Sequence, residues 1–372
     1  DLPIGANPQI KKYLPMNSNN DFLALFLAPV GGFLGDDSVS EILINGAEQI
    51  YVERSGKLEL TQAKFSSESQ LMAAASNIAK SVDRILDARH PDLDARLPDG
   101  SRVHVTIPPI SRCGTIISIR KFKRDMLTLE KLESFSSIPH DGALLLNAIV
   151  KLRKNTIVSG GTSSGKTSVL NAISGLIPDS DRILVLEDAS ELQLQQRHCV
   201  YFETRKPDKN GDGEFSIRDL VIASLRMRPD RLVIGEIRGG EALDLLQAMN
   251  TGHSGSMSTI HANSPIDALM RMETCALMSG VELPLSAVRM QVASAGNCLV
   301  RTMRLPDGSR KIVEIAEVLP LNNGEYRTSA LMKWNTQSIA PDGSVCGNFC
   351  LCNEPSFAGD ARIMGIELPR YN

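Results

Sequence analysis

With 372 residues, 40 Lys and Arg against 43 Asp and Glu, and a formal net charge of −3, the chain is long enough for two domains and has no general attraction for nucleic acid or anionic lipid. Aromatic residues at 4% are too sparse for a base-stacking track, and seven scattered cysteines make no disulfide framework, so a reducing compartment is expected. No apolar run approaches the roughly 20 residues of a membrane span and no basic-then-apolar leader opens the chain, which reads as soluble and cytoplasmic with a processing boundary before Asp1.

Residues 1–35 read as an N-terminal extension. Its prolines and the Asn17-to-Asn20 cluster are loop, and the apolar stretch 22–30 is a short helix stopped by Gly31-Gly32. Strands follow at 42–44, 50–52 and 58–60 around the Asn45-Gly46 and Ser55-Gly56 turns. The spacing of Leu71, Ala75, Ile78, Val82 and Ile85 predicts a helix over 68–86. Leu97-Pro98-Asp99-Gly100-Ser101 turns the chain into Val103, Val105 and Ile107, and 115–119 continues the sheet, so residues 36–126 form a small α+β domain. The serine-rich stretch 127–140 reads as an interdomain linker. Residues 141–330 then alternate: a helix over 142–152, and strands at 156–158, 183–186, 232–234 and 257–260 with helical stretches between. That pattern predicts a parallel sheet covered on both faces, with ligands at the carboxyl ends of its strands. A helix and a hairpin around Pro306-Asp307-Gly308 come next, and residues 331–372 read as an irregular tail.

The chemistry concentrates in Gly160-Gly161-Thr162-Ser163-Ser164-Gly165-Lys166-Thr167-Ser168, which fits G-x-x-x-x-G-K-[ST] after a β-branched strand. Gly160 and Gly165 let backbone N–H groups turn toward phosphate oxygens, Lys166 supplies a cation for the β and γ phosphates, and Thr167 offers a hydroxyl to Mg²⁺. Val169, Leu170, Ile173, Leu176 and Ile177 place a helix after the loop, whose dipole also favours the anion. ATP with Mg²⁺ is the ligand this cradle predicts. Hydrolysis needs a carboxylate at the end of a neighbouring strand, and two strands end that way. One runs into Glu187, Asp188 and Glu191, and the other into Gly235-Glu236. Glycine at 235 leaves metal and water duties to Glu236 and the first cluster, although those acids also suit a helix N-terminus.

His253 and His261 flank the strand at 257–260 and can sense a terminal phosphate; a zinc pair would need a third ligand. Arg205, Arg218, Arg226 and Arg228 offer guanidinium groups to phosphate, or only solvated charge. Residues 208–219, from Asp208 to Asp219, fit a calcium-loop spacing, with Asp219 short for the closing position; a polar turn is the alternative. Cys346, Cys350 and Cys352 lack a fourth metal ligand and read as a reduced tail.

In order, the glycine-rich loop, residues 182–191, Gly235-Glu236-Ile237-Arg238 and residues 251–263 resemble the Walker A, Asp box, atypical Walker B and His box of the secretion ATPase superfamily. Leu225-Arg226-Met227-Arg228-Pro229-Asp230, residues 245–253 and residues 94–101 look closer still to the Tad/Flp pilus ATPases of the CpaF type. The resemblance covers about residues 25–320. It implies a homohexamer in which a RecA-like P-loop ATPase domain follows a small PAS-like α+β domain. It also implies an inner-membrane platform partner, so that the protein acts at the inner face of the cytoplasmic membrane through partners. By resemblance Glu236 orients water, Glu187 and Glu191 support metal and water, and His253 and His261 report the γ-phosphate. Arg120 in Ile119-Arg120-Lys121-Phe122 reaches the nucleotide, and Arg226 lies near a subunit junction. Ser163 departs from the glycine common in such loops. A type IV secretion ATPase exporting protein or DNA shares this chemistry, and a nucleic-acid motor on the same core is opposed by the acidic charge.

Overall fold

The computed structural model describes residues 26–54, 56–97, 99–121, 127–207 and 211–371. Cα proximity divides the chain into two units, with the main break in sequence after residue 125. A 3₁₀ turn, Ala28–Val30, leads into α1 (Gly31–Gly35), so the two glycines expected to stop a helix sit inside one. Glycine permits a helix although it does not favour one. The rest of the expected helix, 22–25, lies outside the described residues.

The first unit is a six-stranded sheet. Its strands are β1 (Val39–Asn45), β2 (Gln49–Arg54), β3 (Lys57–Leu60), β4 (Asp92–Arg96), β5 (Arg102–Thr106) and β6 (Ile116–Arg120), ordered β3-β2-β1-β6-β5-β4 and antiparallel throughout. Alternation decides the buried face: Ile42, Ile44, Val52, Ile117 and Ile119 turn inward against Leu71, Ala75 and Ile78 of α2 (Glu68–Ser81). The helix is shorter than its apolar spacing predicts. Asp83 adopts a left-handed φ of +53°, which stops the turn and leaves Ile85 46% exposed.

The second unit is built on a nine-stranded sheet. Its first helices are α3 (Leu129–Ser134) and α4 (His140–Lys151). Then come β7 (Thr156–Gly160), α5 (Lys166–Ser174), β8 (Ile183–Glu187), β9 (Cys199–Glu203), α6 (Ile217–Ser224), β10 (Arg231–Ile237), α7 (Glu241–Asn250) and β11 (Met257–His261). After α8 (Pro265–Leu277) and α9 (Leu285–Ala295) come β12 (Cys298–Arg304), β13 (Arg310–Asn322), β14 (Glu325–Ile339), β15 (Val345–Leu351) and α10 (Ala358–Ile363). The sheet order is β15-β14-β13-β12-β7-β11-β10-β8-β9, parallel from β12 to β9 and antiparallel from β12 to β15. β7 and β8 are buried along their whole length, the burial expected of strands covered on both faces.

Two sequence expectations are corrected here. The stretch 127–140 is no linker, because Leu129, Leu132 and Ile138 belong to the core of the second unit. Residues 331–372 are no irregular tail. Leu331, Met332 and Phe357 are core residues, Trp334 packs edge-on against Phe349 at 4.8 Å, and Lys311 lies over the Trp334 ring at 4.5 Å. No helix among the described residues is long and apolar enough to cross a membrane.

Candidate active site

The glycine-rich loop leaves the carboxyl end of β7 and opens α5, the geometry its motif requires. Gly165, at φ +94°, is the N-cap of α5, while a Cβ at Gly160 would collide with Thr302 and Ser164. Ser163 takes a left-handed φ of +58° where glycine would be unstrained. Neighbours outside the motif hold this shape. The Ser164 hydroxyl bonds the Gly161 carbonyl and the Thr302 hydroxyl, both at 2.8 Å, and Arg310 Nε donates to the Ser163 carbonyl at 2.9 Å. Thr162, Ser163 and Ser168 are exposed, and Thr167 is half-buried.

From the loop a line of polar groups runs across the carboxyl ends of β7, β11, β10 and β8, in the order of the sheet. Lys166, itself buried, donates from Nζ to the Gly161 carbonyl at 3.0 Å and meets the His261 ring nitrogens at 3.2 and 3.3 Å. His261 Nε2 lies 3.4 Å from Glu236 Oε1, Arg238 Nε lies 2.8 Å from the same oxygen, and Arg238 Nη1 stands 3.4 Å from Asp188. A His261 that accepts from Lys166 at Nδ1 and donates at Nε2 satisfies both neighbours with a neutral ring.

The titration tendencies agree with that assignment. Burial lowers the His261 pKa, and the Lys166 cation lowers it further. Burial also lowers that of Lys166, against the attraction of Glu236. Burial pushes the Glu236 carboxyl up, but the Arg238 hydrogen bond and charge, with His261 and Lys166, bring it below its ordinary value. At neutral pH Glu236 is therefore an ionised acceptor facing the cradle lysine through His261.

Other predicted residues are placed elsewhere. Glu187 is 3% exposed and accepts the N–H groups of Glu191 and Leu192 at 2.9 and 3.0 Å on one oxygen. It braces the loop after β8 and is not presented to a metal. It also accounts for Gly235, because a Cβ there would press on the Glu187 side chain at 3.1 Å. Glu191 is half-buried, and its charge contributes to raising the Arg238 pKa. His253 lies before β11, at the end of the sheet away from the loop, where its Nδ1 and N–H face the Ala248 carbonyl at 3.3 and 3.1 Å; in this chain it is not brought to its own cradle. Arg226 and Arg228 are exposed just before β10, at the same far end. Arg218 is committed through Nε to Asp244 at 2.8 Å and through Nη1 to the Ser279 carbonyl at 2.7 Å. Arg120 ends β6 in the first unit, 3.7 Å from Glu41 and 63% exposed. Asp219 forms a capping box with Ser216 at the start of α6, so its carboxylate is spent there. Residues 208–210 of the calcium-loop spacing lie outside the described residues.

Sequence reasoning gave no role to Arg238, Thr302 or Arg310. Arg238 was within reach, since it stands two residues after Glu236, just past the end of β10, where an arginine can reach back to neutralise the carboxylate. Thr302 and Arg310 approach from a hairpin some 140 residues away, as the Ser164–Thr302 and Ser163–Arg310 contacts record, and no local pattern announces that.

Comparison with known proteins agrees with this geometry. The profile of the family described as Type II/IV secretion system protein matches residues 26–344. A protein of Mycobacterium tuberculosis strain H37Rv named for conjugal transfer is 34% identical over 318 residues, 84% of this chain and 89% of its own length. The type IV secretion system protein PtlH of Bordetella pertussis is 32% identical over 309 residues, covering 76% and 91%. Among solved structures, the Legionella pneumophila ATPase DotB superposes with a TM-score of 0.58 at 19% identity, covering 82% of each chain, a likeness of fold and of its RecA-like domain. The chain thus belongs to the type II/IV secretion system protein family, as an ATPase of RecA-like fold.

Proposed function

We propose that the chain is the ATP-hydrolysing motor of a pilus-assembly or type IV secretion machine. It works as a homohexamer at the inner face of the cytoplasmic membrane, on an inner-membrane platform protein. The observation that carries the reading is the line from Lys166 through His261 and Glu236 to Arg238, because it spans the cradle and the acid that would orient water. Lys166 exchanges the Gly161 carbonyl for phosphate oxygens, Thr167 offers its hydroxyl to Mg²⁺, and Glu236 accepts a proton from the water it aligns. The loop fits such a ligand: where Gly160 turns, no side chain is tolerated, and Lys166 already points back across the loop. Arg226 and Arg228, remote from their own cradle, serve a neighbour's cradle in a ring.

Within the family, the Leu225-to-Asp230 and Asp94-to-Ser101 motifs favour a Tad/Flp pilus machine. The names of the relatives favour the second reading, a type IV secretion ATPase. Lys166→Ala is expected to lower affinity for a fluorescent ADP analogue at least a hundredfold. Glu236→Gln is expected to keep that affinity and lose at least a hundredfold in turnover. Normal turnover by Glu236→Gln would remove Glu236 from its role. Turnover stimulated several-fold by single-stranded DNA at moderate salt would favour a nucleic-acid motor instead.

A further inference from the structure

Beside the cradle, the carboxyl ends of β7, β11 and β12 line a partly open pocket of about 170 Å³. Its walls include Gly161, Thr162 and Ser164 of the loop, Asn263 beyond β11, and Arg301 and Arg304 of β12. The Arg301 side chain is half-buried and makes no hydrogen bond or ion pair among the described residues. The other partly or fully buried arginines of this unit have partners: Arg218, Arg231 and Arg289 each meet a carboxylate at 2.8 Å, and Arg182 donates from Nε to the Met227 carbonyl at 3.0 Å. In the parallel register Arg301 stands beside Ser159, whose buried hydroxyl also has no partner. An unpaired guanidinium and an orphaned hydroxyl side by side are costly to bury, and an anion would relieve the guanidinium.

The size of the cavity selects the anion. It is several times the ~30 Å³ share of one water molecule. It is well below the roughly 300 Å³ at which pockets begin to hold a drug-sized ligand, a size suited to orthophosphate rather than to a whole buried nucleoside. The lining is mostly polar and cationic, and the phosphate-binding lysine stands apart, on the β11 and β10 side of the loop.

We propose that this cavity is a holding site for orthophosphate, the second product of the reaction, with Arg301 as its main cation, Asn263 as a neutral donor and Arg304 at its mouth. The site rests on the ATPase reading for the source of its ligand, while its affinity for phosphate does not. It gives the β12 strand a part in product release: phosphate moves from the cradle to Arg301 before leaving, and the occupied site inhibits the next turnover.

The test is equilibrium dialysis of the full chain with ³²P-orthophosphate, with and without ADP and Mg²⁺. Arg301→Gln is expected to weaken phosphate binding at least tenfold and leave ADP affinity within twofold. Arg301→Lys recovers part of the loss, Arg304→Gln weakens binding about threefold, and phosphate inhibition of turnover falls in the same order. Thermal melts of each variant check that the fold is kept. Unchanged phosphate binding in folded Arg301→Gln overturns the proposal. So does an equal loss of ADP affinity, which would make Arg301 part of the nucleotide cradle. Wild-type chain that binds phosphate through Arg301 but no ADP would uphold the site and end the ATPase reading instead.

Discussion

Glu187 ends β8 almost wholly removed from water, and its chemistry follows from that. Burial pushes its carboxyl up to about 7 even though it accepts two backbone N–H groups, and Glu191 and Glu203 repel its charge. Its ordinary value is 4.5, so the folded chain holds this proton more tightly than the unfolded one. The stability it contributes is complete below pH 4.5 and is lost as pH rises to about 7. Full ionisation in the fold costs on the order of 3 kcal/mol at 1.36 kcal/mol per unit. Glu187→Gln keeps an acceptor for Glu191 and Leu192 without the charge. Its urea midpoint at pH 8 should therefore exceed that of the unsubstituted chain, and the two should converge at pH 4.5. A variant less stable at pH 8 would mean that the carboxylate is held ionised, and the metal role expected from sequence would regain its force. The sequence marked Glu187 as an acid at a strand end. It did not convey that the space at Gly235 is filled by the Glu187 side chain, since that is a contact between β8 and β10.

At the scale of elements, the parallel strands divide the labour between their two ends. Carboxyl ends hold the cradle, His261, Glu236 and Asp188, and amino ends are latched by buried polar groups. Asn155 Oδ1 accepts the N–H groups of Gly255 and Ser256, and Arg231, 1% exposed, bonds Asp181 at 2.8 Å and the Val150 carbonyl at 3.0 Å. Arg231→Ala leaves Asp181 without this partner in a buried setting and is expected to cost about 3–5 kcal/mol, read as a shift in urea midpoint. Replacing both residues by apolar ones, Arg231→Met with Asp181→Leu, should cost markedly less, because no charge is then stranded. The parallel core was legible because Ile183-Leu184-Val185-Leu186 and Leu232-Val233-Ile234 are continuous apolar runs with helical spacing between them. The helix α3 was hidden because it is only six residues long and runs straight into Ser134, Ser136 and Ser137, which read as linker. The β14–β15 hairpin was hidden in a polar stretch, although Pro341-Asp342-Gly343 repeats the turn chemistry of Pro306-Asp307-Gly308.

For the whole molecule, the question is what the last 27 residues do, since the family match ends at residue 344 and the described chain continues to 371. β15 adds the final strand of the large sheet, Cys352 N–H bonds the Leu331 carbonyl at 2.9 Å, and the Ser356 N–H bonds Glu317 at 2.9 Å. Phe357, 2% exposed, enters the core that also holds α4 and α5, and Lys154 lies over its ring at 5.5 Å. The segment therefore completes the hydrophobic layer on which the cradle helix rests. Phe357→Ala should destabilise the second unit by about 3–5 kcal/mol, the cost of emptying an aromatic site in a packed core. The first unit has its own core of Ile42, Ile44 and Ile117 against α2, so calorimetry should resolve a lowered transition for the second unit beside an unmoved one for the first. Nucleotide should recover part of the loss, because a ligand bound only to the folded cradle adds RT ln(1 + [L]/Kd) to stability. An unchanged second transition in Phe357→Ala would mean that residues 345–371 merely lie on the sheet, and that the cradle helix owes its support to α4 and the strands alone.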